Sequence, residues 1–245
     1  MSDEGRIVVR ARDIAIGWSR GDVLLEHASF DVRAGEIFGI LGRSAAGKST
    51  LLRVLIGLEA PLSGEIEIAG AREGARPAFG VMFQQGALFG SMTVGDNVAL
   101  PLARWTDLPG DAVRAIALAT LRIVGLEAAA DLMPAELSGG MRKRAAIARA
   151  LALEPALLFL DEPSSGLDPI TSAEIDRVIL TLARVLGLTI VVVTHELGSI
   201  DSIVDRAIVL DRETRSIVAA GTPRELRASS IPRVQHFFAR TPESG

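Results

Sequence analysis

The chain contains no cysteine among its 245 residues. That excludes a disulfide scaffold, thiol catalysis and thiolate metal sites, and it agrees with a reducing compartment. Histidine is nearly as scarce. The three present, His27, His195 and His236, are too scattered for a histidine metal cluster. There is no basic excess either: 26 Lys and Arg against 30 Asp and Glu leave a net charge of −4, which argues against a non-specific grip on nucleic acid. No segment approaches the roughly 20 apolar residues needed to cross a bilayer. The start MSDEGR lacks the apolar stretch of a secretory signal. A cytoplasmic protein is therefore expected, with any membrane attachment made through a partner. Internal repeats and low-complexity tracts are also missing.

What is there is globular. Hydrophobic residues make up 49% and charged residues 23%, in a chain long enough for one large domain with a sizeable core. Residues 7–18 and 23–32 read as antiparallel-type strands, partly alternating. Residues 36–41, EIFGIL, form a short apolar run stopped by Gly42, and a helix continues over 51–57. SGEIEIAG alternates at period two, as a half-buried strand does. The runs 156–160 and 188–194 are almost wholly apolar, as expected of parallel strands covered on both faces. Residues 170–186 have helical spacing, and 93–153 reads as helices only. The expected fold class is α/β with a helical insert. Thr222-Pro223-Arg224-Glu225 is a capping box with proline at the first helical position, and it is expected to open a last helix.

The chemistry begins at GRSAAGKST: Gly42, Arg43, Ser44, Ala45, Ala46, Gly47, Lys48, Ser49 and Thr50. The stretch matches G-x-x-x-x-G-K-[ST] between a predicted strand and a predicted helix. Backbone N–H groups of residues 45–49 can wrap a phosphate, helped by the positive end of the helix dipole. Lys48 is placed to reach the β- and γ-phosphates of a nucleotide, and the Ser49 hydroxyl to ligate Mg²⁺. LLFLDEP ends a second buried strand in Asp161, placed to hold Mg²⁺ through water, and Glu162, placed to polarise the attacking water. VVVTHE puts His195 at a third strand tip, where a γ-phosphate contact is expected. His27 and His236 have no such context.

LSGGMRKRAAIARALALEP, residues 137–155, resembles the signature motif and basic helix of ABC-type ATPases. With the phosphate loop, FLDEP, SSGLDP and VTHE in that order, the resemblance covers nearly the whole chain. It implies a P-loop NTPase fold: a RecA-like core with an N-terminal antiparallel β subdomain over 1–92 and 154–228, a helical subdomain over 93–153, and a C-terminal extension over 229–245. Ser138, Gly139 and Gly140 open a helix, and their N–H groups form an anion site. In this family that site faces the nucleotide of a second copy, so the resemblance implies a head-to-tail dimer with two ATPs in the interface. It further implies that Asp168 links the two sites and that Gln84 is the lid glutamine sensing Mg²⁺ and the attacking water. Trp18 falls where the family sets an aromatic ring against adenine; the alternative is an ordinary core tryptophan. Arg142, Lys143 and Arg144 are expected on a solvated helix face. Two positions depart from the commonest pattern: Ala45 where many members carry Gly, and Met141 where Gln is usual. A positive φ at Ala45 would cost on the order of 1 kcal/mol.

FQQGALFGSMTV, residues 83–94, is uncharged and half apolar. In transport ATPases of the family, the segment after the lid glutamine borders the groove that receives a permease helix. Leu88, Phe89, Met92 and Val94 would line it, and Gly86 and Gly90 would let the loop bend. The alternative is that these side chains fill the join between core and insert. FQQGALFGSMTVGDNVALPL, DLMPAELSGGM and DEPSSGLDPIT together resemble the ATPases of Mla/Mce-type lipid transport systems. That implies an integral permease of the MlaE kind on the inner membrane, a small STAS-domain protein and an Mce-domain substrate-binding protein, with this chain on the cytoplasmic face. ATPases that drive import of small polar solutes, such as amino acids, share all the catalytic motifs. ABC ATPases acting on ribosomes or DNA usually carry two cassettes, a long insert or basic patches, unlike this chain.

Overall fold

The computed structural model describes residues 5–19, 22–72 and 74–239. In chain order the strands and helices are β1 (Ile7–Ser19), β2 (Asp22–Arg33), β3 (Ile37–Gly42), α1 (Lys48–Leu55), β4 (Ser63–Ile68), β5 (Phe79–Met82), α2 (Val94–Trp105), α3 (Gly110–Ile123), α4 (Gly139–Leu151), β6 (Leu157–Asp161), α5 (Pro169–Arg184), β7 (Thr189–Thr194), α6 (Leu197–Ile203), β8 (Arg206–Asp211), β9 (Ser216–Gly221), α7 (Pro223–Arg227) and α8 (Pro232–Ala239). Two short 3₁₀ turns, Glu127–Ala129 and Pro134–Glu136, precede α4. The chain gathers into two units, one drawn from residues 1–69 and 189–245, the other from 70–188.

In the first unit β1 pairs antiparallel with β2 on one side and β4 on the other. The register slips at several points along β1, as happens where bulges twist a long strand. A second set of strands places β3 between β7 and β8, parallel to both, with β9 antiparallel on β8. Every residue of β3 and of β7 is buried, which is why these segments read as unbroken apolar runs.

The capping box at Thr222 forms: Glu225 N donates to Thr222 Oγ1 at 3.3 Å and Thr222 N donates to Glu225 Oε2 at 2.8 Å. The helix it opens is not the last one, however. α7 stops at Arg227, and α8 begins at Pro232, whose ring disfavours helical geometry in the residue before it. The i, i+3, i+4 spacing of Val234, Phe237 and Phe238 predicts one apolar stripe on a helix, and α8 carries it. All three are buried within the chain itself, and Arg227 lies 4.8 Å over the Phe238 ring. Of the extension at 229–245, residues 240–245 lie outside the described residues.

In the second unit β5 and β6 are parallel, pairing Phe79 with Leu157 and Met82 with Leu160. The helix-only expectation for 93–153 holds in α2, α3, α4 and the two 3₁₀ turns. α5 begins on Pro169 with Asp168 as its cap. Four elements have no counterpart in the sequence reading: β5, α6, β8 and β9. β5 has four residues, FGVM, too few to establish a period.

Candidate functional site

In the first unit the phosphate-loop residues span the turn from β3 into α1. Gly47 caps α1 with φ 86, and Ala45 has φ 62, so both lie in the left-handed region. The alternation turns successive backbone N–H groups toward one concavity, the arrangement that binds anions. Lys48 is buried, and its Nζ donates to the carbonyls of Gly42 at 2.9 Å and Arg43 at 3.0 Å. Its ammonium therefore lies against the loop rather than in solvent. Ser49 and Thr50 are half-buried at the start of α1. The parallel register pairs Leu41 with Thr194, so His195, exposed just after β7, leaves its strand level with Gly42. Its Nε2 lies 3.6 Å from Glu196 Oε1. Trp18, near the end of β1, is 71% exposed, which removes the core alternative for this residue.

The second unit carries the other expected residues. Asp161 ends β6 and Glu162 follows it; both are buried. Because Met82 pairs with Leu160, Gln84 and Glu162 emerge from neighbouring strand tips. Glu162 has φ 48, a left-handed conformation that a residue with a Cβ adopts at a cost. No group of three or more His, Asp or Glu side chains gathers as a metal cage among the described residues.

Ser138 caps α4, its Oγ accepting from Met141 N at 3.2 Å. Gly139 and Gly140 form the first turn, whose N–H groups lack helical partners. Gly140 also meets a packing demand: a Cβ there would overlap Thr171 Cγ2. Thr171 is held by Asp168, which accepts from Ile170 N at 3.0 Å, from Thr171 N at 3.1 Å and from Thr171 Oγ1 at 2.5 Å. The Thr171 hydroxyl, then the Thr171 and Ile170 amides, keep the Asp168 carboxyl below its usual value. Asp168 is thus the helix cap of α5, a role the sequence reading did not assign.

Two expectations change here. Lys143 is not on a solvated face: it is 8% exposed, and its Nζ donates to Gln84 O at 2.5 Å and Glu162 O at 2.9 Å. Burial pushes its ammonium below the usual lysine value, against the pull of Glu162 and Asp161. Val94 is not groove surface; it is fully buried at the start of α2, because the i, i+3, i+4 stripe of Val94, Asn97 and Val98 faces inward. Gly90 has room for a side chain, whereas Gly86 adopts φ 74. Phe89, by contrast, is 52% exposed. It borders a groove of about 360 Å³ lined by Phe79, Val81, Leu100, Trp105 and Leu153 among others.

Sequence reasoning missed the residues that hold this loop. Arg149 of α4 donates to the carbonyls of Gly86 and Ala87 at 2.8 and 2.6 Å. Asn97 bonds the backbone of Phe89, Met92 and Thr93. A signal existed: Asn97 and Lys143 are polar residues set on the apolar stripe of a helix, and a polar group there needs a partner.

Residues 25–165 match the ABC transporter family. The intermembrane phospholipid transport system ATP-binding protein MlaF of Escherichia coli (strain K12) is 42% identical over 241 residues, covering 94% of this chain and 88% of its own. MlaF of Haemophilus influenzae is 41% identical over 231 residues, covering 90% of this chain and 87% of its own. Among solved structures, the dimeric post-hydrolysis state of the ATP-binding cassette MJ0796 bound to ADP and Pi superposes with a TM-score of 0.78 at 30% identity, covering 88% of this chain and 99% of its own. The cbiO1 cassette of Clostridium perfringens gives 0.81 at 29% identity, over 95% of this chain and 99% of its own. The likeness to Mla-type ATPases drawn from the loop sequences therefore holds. The chain belongs to the ABC transporter family, and within it to the ATP-hydrolysing cassettes.

Proposed function

We propose that this chain energises phospholipid transport through a partner permease. The similarity to MlaF, 42% identity across 94% of this chain, carries the reading. The Gly42–Thr50 loop holds the phosphates of ATP, with Lys48 on the β- and γ-phosphates. Ser49, Gln84 and, through water, Asp161 hold Mg²⁺, which supplies charge neutralisation on the phosphate oxygens. Glu162 is the general base for the attacking water, His195 contacts the γ-phosphate, and the Trp18 ring stacks on adenine. Ser138, Gly139 and Gly140 complete the nucleotide site of a second copy in a head-to-tail dimer, and Asp168 links the two sites. The dimeric MJ0796 cassette supports two copies.

The working division is a core of 1–92 and 154–228, a helical subdomain of 93–153 and an extension of 229–245. The groove beside Phe89 receives a helix of an MlaE-like permease, and STAS-domain and Mce-domain proteins complete the assembly. No helix among the described residues is long and apolar enough to cross a membrane, and the chain works from the cytoplasmic face of the inner membrane through its permease.

A second reading, import of a small polar solute, is favoured by the methionine import ATP-binding protein MetN of Ralstonia nicotianae, 39% identical over 249 residues, 90% of this chain and 71% of its own. Reconstitution of the purified complex separates the two. Phospholipid exchange between vesicles that requires ATP supports the lipid reading, and ATP-driven uptake of methionine without lipid movement overturns it. The chemistry is tested separately. Glu162→Gln retains ATP and loses turnover, whereas Lys48→Ala loses about 1.5–3 kcal/mol of ATP affinity.

A further inference from the structure

Gln84 and Glu162 leave adjacent strand tips, and nothing in their local sequence fixes one loop against the other. Lys143, on the second turn of α4, does so. Its buried Nζ donates to both main-chain carbonyls, Gln84 O at 2.5 Å and Glu162 O at 2.9 Å. The three residues belong to three segments, separated by 59 and 19 positions in the chain. One ammonium with three donors can bridge two carbonyls that cannot hydrogen-bond each other.

The surroundings show what this bridge controls. The Glu162 carbonyl also accepts from Ser165 Oγ at 3.1 Å and Ser165 N at 3.2 Å, so its turn keeps partners without Lys143. The Gln84 loop keeps Arg149 on Gly86 and Ala87. Each loop is therefore held on its own, and Lys143 ties the two directly. Glu162 stands at φ 48, and a strained backbone persists only where its neighbours over-determine it.

We propose that Lys143 is a positioning residue for ATP hydrolysis: by clamping the Gln84 and Glu162 carbonyls together, it sets the general base relative to the lid glutamine. The inference rests on the roles given above to Glu162 and Gln84. It also gives α4 a second duty. The helix that Ser138 caps, and whose first turn carries Gly139 and Gly140, holds the two loops that orient the attacking water. A shift of α4 then moves Gln84 and Glu162 together.

The test is steady-state ATPase of the full chain with Lys143→Met, Lys143→Arg and, alongside, Glu162→Gln. Methionine keeps the length and apolar stem of lysine but donates no hydrogen bond. Displacement of a reacting group by about an ångström costs up to roughly a hundredfold. The expected result for Lys143→Met is a kcat lower by roughly tenfold to a hundredfold, with the KM for ATP and the affinity for a non-hydrolysable ATP analogue within about twofold. Lys143→Arg, which retains donors for both carbonyls, restores most of the loss. A merely structural lysine would lower melting temperature and nucleotide affinity together, with no such split. An unchanged kcat in Lys143→Met, beside an inactive Glu162→Gln, overturns the clamp and leaves the base standing. Normal turnover in Glu162→Gln overturns the base itself, and with it the reason for the clamp. If the Met variant does not fold, Lys143→Ala is read in its place: it too lacks any side-chain donor, so kcat must fall while ATP affinity holds, and an unchanged kcat again overturns the proposal.

Discussion

The Phe89 amide donates to Asn97 Oδ1 at 2.7 Å, and Asn97 Nδ2 donates back to the Phe89 carbonyl at 3.1 Å. Asn97 Nδ2 also reaches the Met92 and Thr93 carbonyls at 3.2 and 2.9 Å. Asn97 is fully buried, so one side chain stands in for a turn of regular backbone bonding beneath the loop. Asn97→Ala leaves at least one main-chain group in this loop short of a partner, at about 1–3 kcal/mol. For a chain of this size the melting temperature falls by roughly 2–4 °C for each kcal/mol. Hydrogen exchange at the amides of residues 88–93 should rise with it. Unchanged protection at Phe89 would mean that the loop is held by something else.

Within one loop, two apolar residues have opposite fates. Phe89 is 52% exposed and Val94 is fully buried. Phe89→Asp places its charge in water, so the isolated chain should melt within about 0.5 kcal/mol of the parent and bind ATP normally. Its assembly with the permease should fail, because the docked helix would bury that charge. Val94→Asp buries the charge in the chain itself and should cost several kcal/mol or prevent folding. Thermal melting of the two free proteins, followed by co-purification with the permease, checks both halves.

Ala45 occupies φ 62, in the left-handed region that favours glycine. The cost of a Cβ in that region is on the order of 1 kcal/mol. Ala45→Gly should therefore raise stability to denaturant by up to about 1 kcal/mol. ATP affinity should remain, since the backbone N–H groups and Lys48 are untouched. A loss of stability in the glycine variant would show that the greater freedom of the unfolded chain outweighs the relieved strain.

Asp211 ties the turn after β8 to α8. It accepts from Thr214 N at 2.8 Å, Thr214 Oγ1 at 2.9 Å and Arg233 Nη1 at 3.0 Å. Burial opposes its ionisation, but the Thr214 amide and hydroxyl and the Arg233 charge together hold its carboxyl below the usual range. Because the folded value lies below the unfolded one, about 3.9, the contribution is fully present above that pH and is lost as pH falls through the lower folded value. Acid unfolding of the parent should show this loss below about pH 4. Asp211→Asn should start less stable at neutral pH and lose less over the same acid range. Parallel acid-titration curves for the two proteins would remove Asp211 from the account.

Much of the molecule was legible because its signals are local. The phosphate loop is a contiguous stretch whose function needs only a strand before it and a helix after it. The buried strands β3, β6 and β7 announce themselves as short apolar runs, and the Thr222–Glu225 box is complete within four residues. The order of these motifs was enough to find the family. What the sequence left open depended on partners far along the chain. Lys143 and Arg149 look like two of several cations on a basic helix; their acceptors lie 59 and 63 positions away. Helical periodicity puts Lys143 on the apolar stripe of α4, but it does not name the carbonyls that either cation reaches. Phe89 and Val94 are equally apolar, and only the packing of α2 decides that one is core and the other faces solvent. β5 is too short for its pattern to register, and it exists because β6 offers it a parallel edge. Sequence by itself determined the chemistry that contiguous residues can perform. Tertiary structure decided which side chains hold those residues in place, because hydrogen bonds and burial act through space and not along the chain.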